Sequence, residues 1–219
     1  MAETGTTTPR ERYRAQVRAE VKEHAWEQIA TAGASALSLN AIAKQMGMSG
    51  PALYRYFAGR DELITELVRD AYRSLADAFR ATSAAGTGLP GLAHTLRDWA
   101  LADPQRYFLV YGTPVPGYHA PDDVTMIASE IMTALLDACA GLPADGPATP
   151  LAAHLEGLGD RWTNGHPAPP AALQRALTCW TRLHGVLSLE LAGHFTGMGF
   201  DPTRLFTSEL AALTGPPPN

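Results

Sequence analysis

Tyr54, Arg55 and Tyr56 stand in a row, with Lys44 before them and Arg60 after. Phenolic hydroxyls can donate to phosphate oxygens while their rings lie against sugar, and Lys and Arg add positive charge, so these side chains suit the backbone of a DNA duplex. Reading bases asks for more. Pro51 and Ala52 can offer only apolar contact, for instance to a thymine methyl, which leaves Tyr54 and Arg55 as the better candidates for base edges. Ser38 and Ser49 are helix-capping residues whose hydroxyls could also touch the sugar-phosphate backbone. Other chemistries find little support. His119, His154, His166, His184 and His194 follow no metal-ligand spacing, there is no His-Glu-x-x-His and there are no paired cysteines. No Gly-rich phosphate loop follows a strand, and no Gly-x-Ser-x-Gly occurs. Neither catalysis nor a metal or other cofactor is expected.

The spacing around these residues predicts two short helices, 39–46 and 51–57, joined by a tight turn. Ser38 can cap the first by accepting from its free N–H groups. Ile42, Ala43 and Met46 give that helix an inner face, and Gly47 suits the left-handed conformation that ends a helix. Met48 can plug the corner. Ser49 or Gly50 caps the second helix, and Pro51 fits its first turn. Leu53 and Phe57, four residues apart, pack inward; Pro51, Tyr54, Arg55 and Ala58 face away. A helix anchored on one side, with aromatic and basic groups on the other, is a candidate reader of a DNA major groove.

The run from Ser38 to Leu63, with Ala-Leu-Tyr-Arg-Tyr-Phe followed by Arg60-Asp61-Glu62-Leu63, resembles the N-terminal domain of TetR-type transcriptional regulators. Within that resemblance Arg60 stands where the family usually has lysine, and Tyr56 where it often has histidine. Trp180-Thr181-Arg182-Leu183-His184-Gly185 is similar to a signature of one C-terminal subclass of these regulators.

Charge distribution agrees with a DNA-binding head. The chain is acidic, with a formal net charge of −5, yet residues 1–60 carry eight basic against five acidic side chains, a net +3, which leaves −8 on the rest. A basic head on an acidic body presents the head to phosphates. No apolar run approaches the ~20 residues of a membrane span, and the polar start shows no signal core, so a cytoplasmic protein is expected. Cys139 and Cys179 read as two buried thiols.

Taken in order, 1–9 reads as a disordered tail. A helix follows over 10–32, with Val17, Val21, Ala25 and Ile29 inward and Gly33 as its stop. The cluster Arg10, Arg12, Arg14 either reaches a phosphate or minor groove or is a solvated basic end. A long fourth helix, 60–82, buries Leu63, Ile64, Leu67, Val68, Ala71, Leu75, Ala78 and Phe79 and connects head to body. The body reads as helices at 91–102, 104–111, 122–140, 151–162 and 171–196, with a last one opened by Asp201-Pro202. The loop 112–121 is either a pocket lid or only a connection. Fold class is therefore all-α: a three-helix helix-turn-helix domain at 10–59, a connecting helix at 60–82 and a larger helical domain at 83–219.

The resemblance implies what the larger domain does. It would hold a small-molecule effector, with Trp99, Tyr107, Tyr111, Met126, Met132, Trp180 and His184 as candidate lining, although each taken singly also reads as ordinary core. It would also dimerise through its last two long helices, with Leu183, Leu187, Leu191, Phe206 and Leu210 as candidate contacts. The expected protein is a homodimeric repressor on palindromic double-stranded operator DNA, released by that effector. The competing reading is an all-helical small-molecule binding protein or enzyme whose head is only structural; the charge split argues against it.

Overall fold

The computed structural model describes residues 8–143, 149–158 and 165–214. Among the described residues the regular structure is entirely helical: α1 (Pro9–Ala32), a 3-10 turn (Ala34–Ala36), α2 (Leu39–Gln45), α3 (Gly50–Leu53), α4 (Arg60–Ala84), α5 (Gly88–Ala102), α6 (Pro104–Tyr111), α7 (Asp122–Ala140), α8 (Pro150–Gly157), α9 (Pro170–Leu191) and α10 (Pro202–Thr214). The chain divides into two compact units. One comprises Met1–Asp70 with Phe108–Pro121, the other Ala71–Tyr107 with Asp122–Asn219. The first unit thus includes the start of α4, and the loop 112–121 is part of it.

In the first unit α1 opens on a reciprocal cap: Thr8 Oγ1 accepts from the Glu11 N–H at 3.3 Å, and the Glu11 carboxylate accepts from the Thr8 N–H at 2.7 Å. Residues 1–7 of the expected tail lie outside the described residues; Thr8 and Pro9 belong to the helix start. The four-residue stripe Val17, Val21, Ala25 and Ile29 is buried as expected. Gly33, at φ 79°, ends the helix with its N–H on the Ile29 carbonyl. Leu53, Phe57, Leu63, Ile64 and Leu67 are fully enclosed around it. Each such side chain contributes ~1.5–3 kcal/mol on burial, so this stripe is what holds the small helices in place.

In the second unit α7 buries Val124, Ile127, Ile131 and Leu135. α9 lies against α7, α8 and α10. Arg97 of α5, only 5% exposed, forks onto Glu190 of α9 at 2.5 and 2.8 Å and donates to Thr203 Oγ1 of α10 at 3.1 Å. Its guanidinium also lies 5.0 Å from the Phe206 ring centroid. One buried cation so fixes the register of three helices.

Some boundaries differ from expectation. α3 ends at Leu53, and Tyr54–Tyr56 form turns rather than further helix. α5 starts three residues early, at Gly88. α9 stops at Leu191 instead of running to Thr196, because Gly193 adopts φ 77° and the N–H groups of Gly193 and His194 return to the Glu190 and Leu189 carbonyls. α8 ends at Gly157, and 159–162 of the expected helix lie outside the described residues.

The expected dimer contacts require a larger correction. Leu183, Leu187, Phe206 and Leu210 are buried inside the chain itself; of the five only Leu191 is partly exposed. An apolar side chain already covered by its own chain is not a surface for a partner.

Candidate nucleic-acid interface

The turn between α2 and α3 forms as its residues dictate. Ser38 Oγ accepts from the Ala41 N–H at 3.3 Å, and the Ser38 N–H donates to Gln28 of α1 at 3.0 Å. At the other end of α2, Gly47 sits at φ 66°; its N–H bonds the Lys44 carbonyl at 3.2 Å and the Met48 N–H bonds Ala43 at 2.8 Å. This paired return closes a helix on a left-handed glycine. Ser49 precedes α3 as its N-cap, with no side-chain bond to the helix, which leaves its hydroxyl exposed.

The segment 49–57 is divided by face. Leu53 and Phe57 are fully buried, while Ser49, Pro51, Tyr54 and Arg55 are exposed, Tyr54 by 47%. Lys44 is exposed on α2; Ala52 and Tyr56 are half-buried. Seven of the nine expected DNA residues are thus exposed or half-buried on α2, α3 and the residues that flank α3. Ser38 caps α2 with its oxygen as acceptor, which leaves the O–H as a donor. Arg60 is committed elsewhere: its guanidinium donates to the Ala34 and Ser35 carbonyls at 3.0 and 3.2 Å and lies 3.8 Å from Asp61. It ties the start of α4 to the 3-10 turn. Just before α4 the Glu62 carboxylate accepts from the Ala58 N–H at 2.6 Å.

Two features were not read from the sequence. Arg18 of α1 donates to the Tyr56 carbonyl, stands 4.1 Å from the Phe57 ring centroid, and reaches Glu62 at 3.3 Å and Glu66 at 3.4 Å. It joins α1, the recognition turn and α4. The other is a cleft of about 570 Å³ lined by Pro9, Arg10, Tyr13, Arg14, Arg55 and Tyr56. The register of α1 could have revealed it, because Arg10 and Arg14 continue the Val17 and Val21 stripe toward the N-terminus.

The proposed effector residues scatter more. In the second unit Tyr107 Oη lies 2.9 Å from His184 Nδ1 and 2.8 Å from Ser188 Oγ, and the Trp180 ring is 4.1 Å from that of His184. Burial holds the His184 imidazole down to about 4, so it stays neutral near pH 7. Trp99 donates from Nε1 to Ser74 Oγ at 2.9 Å and carries the Arg106 guanidinium over its ring at 4.5 Å. Beside Trp180 is a cavity of 10 Å³ lined by Phe79, Leu92, Ala93, Leu96, Leu135, Cys179 and Leu183, the size at which one water fits. Met126 does not belong to that interior: it is 68% exposed on α7. Met132 is half-buried on the same helix, and Tyr111 belongs to the first unit. Among the described residues no three of His, Cys, Asp and Glu gather to hold a metal ion, and no helix is long and apolar enough to cross a membrane.

The model for bacterial regulatory proteins of the tetR family matches residues 23–67, and a tetracyclin repressor-like C-terminal domain matches residues 89–213. HTH-type transcriptional regulators Mb1846 of Mycobacterium bovis and Rv1816 of Mycobacterium tuberculosis are each 34% identical to this chain, over 97% of both sequences. Among solved structures, the regulatory protein SCO4313 is 69% identical, with a TM-score of 0.88, over 95% of this chain and 100% of that one. A protein of unknown function from Rhodococcus sp. RHA1 shares the fold at 18% identity, with a TM-score of 0.64 over 97% of each chain. With a helix-turn-helix whose exposed face is basic and aromatic, an all-helical second unit, and regulators rather than enzymes as relatives over nearly its whole length, this chain belongs to the tetR family of DNA-binding transcriptional regulators.

Proposed function

We propose that the protein is a homodimeric repressor of the cytoplasm that binds a palindromic operator and leaves it when a small molecule binds the second unit. The observation that carries the DNA reading is the division of the recognition segment: Leu53 and Phe57 are enclosed while Ser49, Pro51, Tyr54 and Arg55 are open to a groove. Tyr54 and Arg55 read bases. Lys44, Ser49 and Tyr56 grip phosphates, and Pro51 and Ala52 make apolar contact. Ser38 caps α2 and adds a phosphate contact through its O–H, and Arg60 positions these groups from behind. Two such heads occupy successive major grooves ~34–36 Å apart.

The dimer forms through the outward faces of α9 and α10. Thr181, Gly185 and Leu189 recur at helical spacing on α9, and Ser208 and Ala211 on α10, all exposed. A Cβ on Gly185 would meet nothing within 4 Å, and Leu189 is 46% exposed, so a partner helix can approach closely and cover apolar surface. The effector enters beside Trp180. The cavity there is too small for any ligand beyond water, so binding selects a more open state and shifts the population of head positions.

The test is anisotropy of labelled DNA from beside the protein's own gene against scrambled DNA of equal length, at two salt concentrations. Selective binding that falls steeply with salt supports the reading. Tyr54→Phe and Arg55→Ala should each weaken the selective part by ~1–3 kcal/mol; if neither does, the assignment of base contacts is wrong.

A further inference from the structure

We infer that the cleft at the start of α1 is a phosphodiester clamp, which holds the DNA backbone beside the recognition turn without regard to sequence. The inference rests on the DNA-binding reading above and adds residues of a second element to it. Arg10, Tyr13 and Arg14 lie on one face of α1, and that face is the N-terminal continuation of the stripe that buries Val17 and Val21. Beyond Val17 nothing apolar is needed, and the same face carries two arginines and a tyrosine, all exposed. Across the cleft stand Arg55 and Tyr56.

Three guanidinium groups and two phenols therefore surround one opening of about 570 Å³, and no carboxylate lines it. Arg10, Arg14 and Arg55 have no carboxylate partner among the described residues; Arg14 lies 5.8 Å from the Tyr56 ring centroid. The one acid in the first turn of α1, Glu11, is turned away onto the N–H and hydroxyl of Thr8 at 2.7 and 2.9 Å. That reciprocal cap also keeps the overhanging turns helical, so the cations are held in place before DNA arrives. Cations kept close without a counter-charge need an anion, and planar guanidinium forks match phosphate oxygens. The opposite wall is the recognition turn itself, so an anion held here lies next to the groove that Tyr54 and Arg55 face. A phosphodiester of the same duplex is the anion that meets both requirements.

The experiment uses the full chain and a labelled 30-base-pair duplex of random sequence, with binding followed across a salt series. Wild type is compared with Arg10→Ala/Arg14→Ala and with Arg14→Lys, and circular dichroism melts confirm that the variants fold. The expected result is a log–log salt slope shallower in the double alanine variant by about 0.9 for each phosphate released, and largely kept in the lysine variant. DNA from beside the gene should lose the same factor as random DNA. An unchanged slope in the double variant, or a loss confined to the selective DNA, overturns the clamp. A wild type without salt-sensitive DNA binding would overturn the DNA reading itself. The same titration with inorganic phosphate replacing chloride at equal ionic strength separates the anion sources. A clamp on DNA predicts no added effect. Displacement by millimolar phosphate that vanishes in the double variant would assign the cleft to a free anion instead.

Discussion

Arg18→Ala should loosen the recognition turn more than its position on α1 suggests. The side chain gives up one charge-assisted bond to the Tyr56 carbonyl, a contact 4.1 Å from the Phe57 ring centroid, and ion pairs of 3.3 and 3.4 Å with Glu62 and Glu66. A bond from a charged donor is worth ~1.5–3 kcal/mol, and a guanidinium over a ring adds ~0.5–1 kcal/mol. The ion pairs add little. The three groups are 23%, 40% and 24% exposed, and both carboxylates keep a second partner, Glu62 on the Ala58 N–H and Glu66 on Arg69. The sum is a loss of roughly 2–4 kcal/mol in the first unit. Urea unfolding by circular dichroism should read that loss. Hydrogen exchange should locate it: the amides of Tyr54 and Tyr56, bonded to the Gly50 and Leu53 carbonyls, should exchange faster in the variant while those of α9 do not change. Arg18→Lys should recover only part, because an ammonium cannot serve a carbonyl, a ring and two carboxylates in one pose. DNA affinity should fall about tenfold through disorder of the turn, roughly 1.4 kcal/mol. If Arg18→Ala costs under ~0.5 kcal/mol and leaves exchange at 54–57 unchanged, the argument that this residue holds the turn fails.

Gly47→Ala should cost ~1–2 kcal/mol in urea unfolding from backbone strain alone, since φ is 66° and a Cβ there meets nothing within 4 Å. Leu189→Glu, on the outward face of α9, should yield folded monomers in sedimentation, whereas Leu187→Glu, fully buried, should unfold the second unit; a dimeric Leu189→Glu would refute the proposed face. His184 binds a proton more weakly folded than unfolded, about 4 against an ordinary 6.5, so the unfolded chain holds more protons in that window and stability falls as pH drops through it. The loss reaches up to roughly 3 kcal/mol by pH 4, and His184→Gln should show a smaller drop in urea titrations between pH 7 and 4.5. Burial pushes the Cys139 and Cys179 thiols up to about 11 and 12, so a thiol reagent at pH 8 should label them only when the chain is unfolded.

Most of the helical frame was legible because its causes are local. Ser38 and Gly47 cap and end α2 through atoms within a few residues, and the Val17–Ile29 stripe states its own period. The Gly193 stop is equally local, in a glycine at φ 77° that ends α9 before Phe195. What periodicity does not convey is which neighbour covers an apolar face. α9 is apolar on more than one side, and the sequence does not say that the rest of the same chain takes Leu183 and Leu187 while the face bearing the small Gly185 and the single Leu189 stays open. Met126 fails for the converse reason: its residue type suggests an interior, yet it is 68% exposed on α7.

The arginines show why the candidate site was only half legible. Arg18, Arg55 and Arg60 have the same side chain and opposite uses. Arg55 has no carboxylate partner among the described residues, and its role follows from its own segment. Arg60 finds its partners at Ala34 and Ser35, and Arg18 finds Tyr56, Glu62 and Glu66, each across a folded turn. A cation becomes structural when folding brings carbonyls or carboxylates to it, and it remains available to DNA when folding brings none. Arg10 and Arg14 fall in the second class because α1 extends beyond the helices that cover Val17 and Val21. The length of α1 relative to the core it serves, more than the basic character of its first turns, is therefore what makes those turns a surface for phosphate.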